Sequence, residues 1–321
     1  MRIDPHIHLS GAIPVDFLWE VIQEYGLFYL AENRDDIVKA VTFAANEQCD
    51  FHRFLHKFDL FDQIPWNEEL LRLSILAVVR QLQKDNIDYV WLRFSVNKYL
   101  TFMNWHRVDL IQFIHATFEK YAPGMVGLVL SLKYESPKAA QRQLANLIHQ
   151  GDIKQCLVGI DLVGDEAVYE PEFYAGLLRP WRDAGKLLFA HVGETRSAFN
   201  VMSAIQQVGV TEVCHGIRAV SFPSIIEVAN QYDVCFHMTI TSNLLTKAIP
   251  ALNEHPLNEF LRRGAKVTLG TDDPVICSTT LDREFGLLSE LLLRRYNYDE
   301  TKALAVRTQL ADIAEERCFR K

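Results

Sequence analysis

Short apolar runs rich in β-branched and aromatic residues recur along the chain, each followed by a segment whose apolar positions return at helical spacing. The runs are Ile3–His8, Tyr89–Phe94, Met125–Leu132, Leu157–Leu162, Leu187–His191, Glu212–His215, Val234–Ile240 and Lys266–Gly270. They predict eight strands. Their near-continuous apolar character suits parallel strands covered on both faces. The intervening segments predict helices. Asn67 stands as a cap before Glu68, Glu69, Leu70 and Leu71, and Leu73, Leu76 and Val79 continue the apolar face. Similar faces mark Ala139–His149, Pro171–Ala184 and Pro223–Tyr232. Eight such units predict a single α/β domain over residues 1–321, closed as a (β/α)₈ TIM barrel. A doubly wound open sheet is the rival. It usually has fewer strands, and no Gly-rich phosphate loop follows the first run.

Residues 9–88 break the simple alternation. The stretch from about 30 to 66 predicts a helical insertion between strands one and two. Within it, Phe51, Phe54, Leu55, Phe58, Leu60 and Phe61 form an apolar stripe. Extra helices packed on the barrel satisfy this pattern. A lid over the barrel mouth satisfies it too, since long insertions at that place are often functional.

Composition narrows the partners. Over 321 residues the formal net charge is -8, which argues against a long nucleic-acid footprint and favours a small-molecule substrate. Nothing approaches the roughly 20 apolar residues of a membrane span. The opening MRIDPHIHLSG has no apolar signal region. Six cysteines occur without any C-x-x-C pair and read as reduced core residues of a cytoplasmic protein. These features leave the oligomeric state open.

The unusual polar residues fall at strand ends. His6 and His8 close the first run, His191 the fifth, with Glu194 three residues on, and His215 the sixth. Asp272 and Asp273 follow the eighth. In a barrel the C-terminal ends of all strands surround one mouth, so these groups converge. H-x-H on a strand places both imidazoles on one face. A third imidazole from His191 and the carboxylate of Asp272 would complete a mixed nitrogen/oxygen metal site. One Zn²⁺ per chain suits it best, with iron, manganese and cobalt left open. His52 and His56 are four apart on a helix but lack the glutamate of H-E-x-x-H and read as packing or lid residues. His106, His115, His149, His237 and His255 read as structural. Zinc deaminases carrying P-C-x-x-C are excluded by the cysteine spacing.

Several longer stretches, PHIHLSGAIP (5–14), GIDLVGDE (159–166), HVGET (191–195), CHGIRA (214–219), TSNLLTKAI (241–249) and HPLNEFLRRGAKVTLGTDDP (255–274), resemble the adenosine deaminase family in order and over nearly the full length. The resemblance implies metal ligation by His6, His8, His191 and Asp272. It implies that Glu194 protonates ring N1, that His215 orients the nucleophile and stabilises developing charge, and that Asp272 assists catalysis. Asp273 would meet N7 and the backbone of Gly164 would meet N3, with His8 and Ser10 also lining the substrate site. The implied reaction is hydrolytic deamination of adenosine or a close 6-aminopurine nucleoside. Alternatives are 5′- or N6-modified adenosines (methylthioadenosine, N6-methyl-AMP), adenine, another aminated heterocycle, or a nucleoside-binding module without turnover.

Two departures stand out. Adenosine deaminases of the family typically carry Asp, and adenine-specific relatives Glu, where this chain has Ser10, which implies a sugar end that neither repels nor excludes a 5′ substituent. Thr239-Ile240 replaces the usual Cys-Pro and implies an altered pocket wall.

Overall fold

A computed structural model describes residues 1–43, 47, 49–150 and 152–319. Eight parallel strands follow one another around a barrel: β1 (Ile3–His8), β2 (Tyr89–Phe94), β3 (Val126–Lys133), β4 (Gly159–Val163), β5 (Leu187–Val192), β6 (Glu212–His215), β7 (Cys235–Met238) and β8 (Lys266–Leu269). Consecutive strands pair in sequence order, so every crossover is a helical segment returning along the outside. The seam between β8 and β1 is closed just past β8. There the amide of Asp272 donates to the carbonyl of His6 (2.7 Å) and the amide of His8 to the carbonyl of Asp272 (2.9 Å).

The strands are buried on both faces because helices cover them outside and side chains fill them inside. β2 has every residue buried. Period-two alternation sends Trp91 and Arg93 inward from β2 and Phe189 and His191 inward from β5. Ile3, Tyr89, Trp91, Val129, Phe189 and Cys214 pack together inside the barrel with Ala314 of the long helix Glu300–Phe319. β1 slips register by one residue between Asp4 and Ile7, against a neighbour that does not. Pro5 lies in that slip and has no amide to donate, which fits a bulge.

Helix boundaries follow local chemistry. The Asn67 side chain accepts from the amide of Leu70 at 2.9 Å and starts the helix Glu68–Lys84. Pro171 and Pro223 begin the helices Pro171–Asp183 and Pro223–Gln231. The expected helix Ala139–His149 is an α-helix, Lys138–Ala145, continued by a 3₁₀ turn, Asn146–His149.

Two sequence expectations need correction. β7 ends at Met238, not Ile240. Thr239 leaves the strand and Ile240 opens the helix Ile240–Leu245, so the β-branched Thr-Ile pair belongs to a strand-to-helix turn. The helical insertion also begins before residue 30, with the helix Val15–Tyr25, and continues through Arg34–Val41, Phe51–His56 and Asp59–Gln63. Residues 44–46 and 48 of the expected 30–66 stretch lie outside the described residues. Trp66, Phe61 and Ile64 are wholly or almost wholly buried, which fastens the end of the insertion to the barrel.

Candidate metal and purine site

At the C-terminal mouth the Nε2 atoms of His6, His8 and His191 form a triangle with edges of 3.1, 3.2 and 3.3 Å. Asp272 Oδ1 lies 3.3 Å from both His6 Nε2 and His8 Nε2. Three imidazole nitrogens turned on one point cannot all be satisfied by exchanging protons among themselves. Around a tetrahedral ion with ligand arms of about 2.0–2.1 Å, neighbouring donors stand about 3.3–3.4 Å apart, so the set fits a zinc-sized cation. The nitrogen/oxygen donor chemistry agrees with that size.

A polar layer inside the barrel orients these donors. Asp161, on β4, takes His191 Nδ1 at 3.1 Å and the Arg93 Nε at 2.6 Å. Arg93 also donates to the carbonyl of Pro5 at 3.1 Å and reaches Cys214 Sγ at 3.3 Å. Burial resists ionisation of Asp161, but His191 and Arg93 outweigh it and hold the carboxyl well below the usual range. A carboxylate behind a histidine fixes the ring's direction and raises its donor strength, the usual support for a metal-binding imidazole. Burial holds His6 and His8 in the neutral form that ligation needs.

Glu194 and His215 flank this centre. Glu194 Oε1 accepts from the hydroxyl of Thr246 at 3.0 Å, and its Oε2 lies 3.6 Å from His215 Nε2. Burial, then the charge of Asp272, pushes the Glu194 carboxyl up to about 8. Burial pushes His215 down to about 3. The Asn243 amide donates to His215 Nδ1 at 3.1 Å, and Thr239 Oγ1 lies 2.9 Å from the same atom. A ring accepting at Nδ1 carries its proton on Nε2, the nitrogen facing Glu194 and Asp272. His215 and Asp272 both hold left-handed backbone, at φ 61° and 64°, a conformation that costs energy in residues other than glycine.

The loop bearing Glu194 is gripped by Glu166. One oxygen accepts from the amides of Glu194, Thr195 and Arg196 at 2.9, 2.8 and 2.9 Å. The other takes the amide of Gly193 at 2.6 Å and the side-chain amide of Asn200 at 3.0 Å. Asp273 is buried beside Asp272, and burial followed by that charge raises its carboxyl well above the ordinary range. A Cβ on Gly11 would fall 1.8 Å from Asp273 Oδ1, so only glycine lets this acid sit where it does. Gly164 follows β4 with φ 99°, in a backbone state that glycine adopts freely.

These groups line one cavity of about 430 Å³. It includes all the expected site residues except His6, which lies buried just beneath, in contact with His8 and His191. Phe51, Phe54, Leu55 and Phe58 of the insertion form part of the wall. His52 and His56 are exposed, His56 pairing with Asp59 at 2.9 Å. His237 lies deeper, between Glu212 Oε2 (2.9 Å) and the carbonyl of Pro5 (3.2 Å).

Sequence reasoning missed Asp161, Glu166, Arg93, Thr246 and Asn243 as supports of the site. Asp161 and Glu166 stand in the GIDLVGDE stretch, where the resemblance points only to Gly164. An arginine inside the apolar strand YVWLRF was a further signal, because a buried cation demands a partner.

Comparison with known proteins places the chain in a family. The adenosine deaminase family model matches residues 2–317. A protein named adenosine deaminase from Shewanella loihica is 27% identical over 296 residues, covering 90% of this chain and 87% of the relative. Among solved structures, the adenine deaminase of Arthrobacter aurescens superposes with TM-score 0.79 at 16% identity, over 98% of this chain and 99% of that one. An Arabidopsis N6-mAMP deaminase gives TM-score 0.80 at 18% identity, over 97% and 92%. An amidohydrolase from Burkholderia ambifaria with bound Zn gives 0.76 at 18% identity, over 98% and 90%. At these identities the solved structures speak to the fold.

Proposed function

Because this chain belongs to the adenosine deaminase family, we propose that it hydrolyses the exocyclic C–N bond of a 6-aminopurine nucleoside, giving the inosine-type product and ammonia. The observation that carries the reading is the triangle of His6, His8 and His191 nitrogens, closed by Asp272, with Glu194 beside it. Those four residues would hold a divalent cation, zinc by the donor set. When bound, such an ion supplies Lewis acidity and brings the pKa of water down to about 7.

The chain's own residues then divide the work. Glu194, raised to about 8, keeps its proton at neutral pH and delivers it to ring N1, which breaks the aromaticity that opposes attack at the neighbouring carbon. His215, neutral with its proton on Nε2, donates toward the oxygen on which charge develops. Asp272 takes up a proton from the attacking water as charge moves toward the ring, and that proton passes on to the amino nitrogen, which leaves as ammonia when the C–N bond breaks. Asp273, protonated through burial and its charged neighbour, donates to N7, and the backbone of Gly164 meets N3. The apolar wall of Phe51, Phe54 and Phe58 covers the purine and keeps bulk water out. Six unpaired cysteines fit a reducing compartment, so we place the activity in the cytoplasm.

Glu194→Gln tests the acid. It is expected to lower kcat by about 10²–10⁴-fold while metal content and inhibitor binding stay near wild type. Near-wild-type turnover by that variant would remove Glu194 from the chemistry.

A further inference from the structure

Ser10 and Lys98 meet in the wall of the cavity. Ser10 stands two residues beyond His8 in a 3₁₀ turn, Ser10–Ala12, and Lys98 lies in the short helix Val96–Leu100 after β2. Lys98 Nζ donates to Ser10 Oγ at 2.8 Å. It also lies 3.3 Å from Asp62 Oδ1 of the insertion, and its own side chain is only 7% exposed. Burial, joined by the nearby charge of Lys133, brings this ammonium down to about 8 despite Asp62. The site therefore holds a cation at a cost and keeps it where the cavity begins.

The hydrogen-bond count is informative. An ammonium has three donors and no acceptor. Ser10 and Asp62 account for two of them, leaving one for a ligand. Ser10 accepts from Lys98, and its own hydroxyl proton remains available to donate. Where relatives are expected to present a carboxylate that accepts from a sugar hydroxyl, this chain presents two donors.

A charged donor with one position to spare favours an anion over a neutral acceptor. Lys133 lines the same cavity as a second cation. Of the rim carboxylates, Asp59 is engaged by His56 and Glu135 by the amide of Asp165. Asp62 is the direct counter-ion of Lys98, but its side chain is 51% exposed and can turn to water when another anion arrives.

We propose that Ser10 and Lys98 form a 5′-phosphate subsite, so that the preferred substrate is a 6-aminopurine nucleoside 5′-monophosphate rather than the free nucleoside. This rests on the deaminase reading above. The phosphate accepts from Lys98 Nζ and Ser10 Oγ as charge-assisted bonds, displacing Asp62, and the ester oxygen carries the ribose toward the purine contacts. No bond to phosphorus is made or broken.

The test compares AMP with adenosine on the zinc-loaded protein, by ammonia release and, separately, by equilibrium binding. Wild type is expected to favour AMP at least tenfold in kcat/KM. Lys98→Met should cut the AMP-to-adenosine ratio at least tenfold, Lys98→Arg should retain most of it, and Asp62→Asn should raise it by removing the competing anion. Thermal unfolding of each variant checks that it folds, and Asp62→Asn, at a half-exposed position, keeps the test decisive if Lys98→Met does not. Adenosine turnover with no AMP preference, or a ratio unmoved by Lys98→Met and Asp62→Asn, overturns the subsite and leaves the deaminase reading standing. If neither compound is deaminated, the deaminase reading fails. Tighter binding of AMP that weakens in Lys98→Met would then still support the subsite, and equal binding of the two compounds would sink it.

Discussion

Glu166 shows how much of the position of Glu194, the proposed acid, is set by a neighbouring side chain. Its carboxylate gathers four consecutive amides, Gly193 to Arg196, and so fixes the backbone from which Glu194 projects. Each such bond to an ionised acceptor contributes about 1.5–3 kcal/mol, so the loop's shape depends on this one side chain. Glu166→Gln replaces one acceptor oxygen by a donor that faces amide protons. It is expected to lower kcat by about 10–100-fold, the usual effect of losing a supporting partner, with KM changing far less. Amide exchange at residues 193–196 should quicken in the same variant, and unchanged exchange there would show that the loop holds itself. Such supports were hard to read beforehand. A carboxylate that binds backbone amides leaves no mark in side-chain spacing, whereas His6, His8, His191 and Asp272 stood out by falling at strand ends.

At the scale of elements, the strands were legible because burial on both faces writes continuous apolar runs. Their ends were less so. Thr239 and Ile240 have strand-like side chains, yet the chain turns there to bring Thr239 against His215, and tertiary contact overrides local preference. The insertion was legible as helical but not in extent, since Val15–Tyr25 carries an ordinary amphipathic face of its own. Phe51–His56 and Asp59–Gln63 are short helices joined by Lys57 and Phe58, with Phe54 buried and Phe51, Leu55 and Phe58 half-buried along the cavity. Helices of one or two turns depend on their packing for stability, so these are suited to act as a lid. Hydrogen exchange across residues 51–63 is expected to slow when a competitive purine inhibitor binds. Identical exchange with and without inhibitor would make the segment a fixed wall.

Across the whole molecule, the barrel is polar at both ends of its interior. Above lies the candidate metal site. Below, Arg317 of the helix Glu300–Phe319 donates its Nε to Glu212 of β6 at 3.0 Å, while His237 holds that carboxylate from the other side. The C-terminal helix thereby plugs the end opposite the mouth. Acid sensitivity is built into the same buried polarity. His255 is wholly buried, its Nδ1 accepting from the amide of Leu257 at 3.2 Å, and burial depresses it to about 3. Between pH 6.5 and 3 the unfolded chain binds a proton at this position that the folded chain refuses. Stability from this residue is complete above pH 6.5 and is lost as pH falls toward 3, by up to about 1.4 kcal/mol per pH unit. His255→Asn is expected to flatten the acid side of the Tm–pH profile. A profile parallel to wild type would assign the acid limb to other groups.

The seam between β8 and β1 has one more consequence. Asp272 joins the two strands through its backbone and completes the donor set through its side chain, while His6 and His8 come from the opening residues of the chain. A ribosome making this protein releases two of the four expected ligands, His6 and His8, well over two hundred residues before the last, Asp272. Until then the histidines face an unfinished ring with no partner carboxylate. Barrel closure and the candidate metal site thus share one residue, because a chain cut short before Asp272 lacks both the seam and the fourth expected ligand.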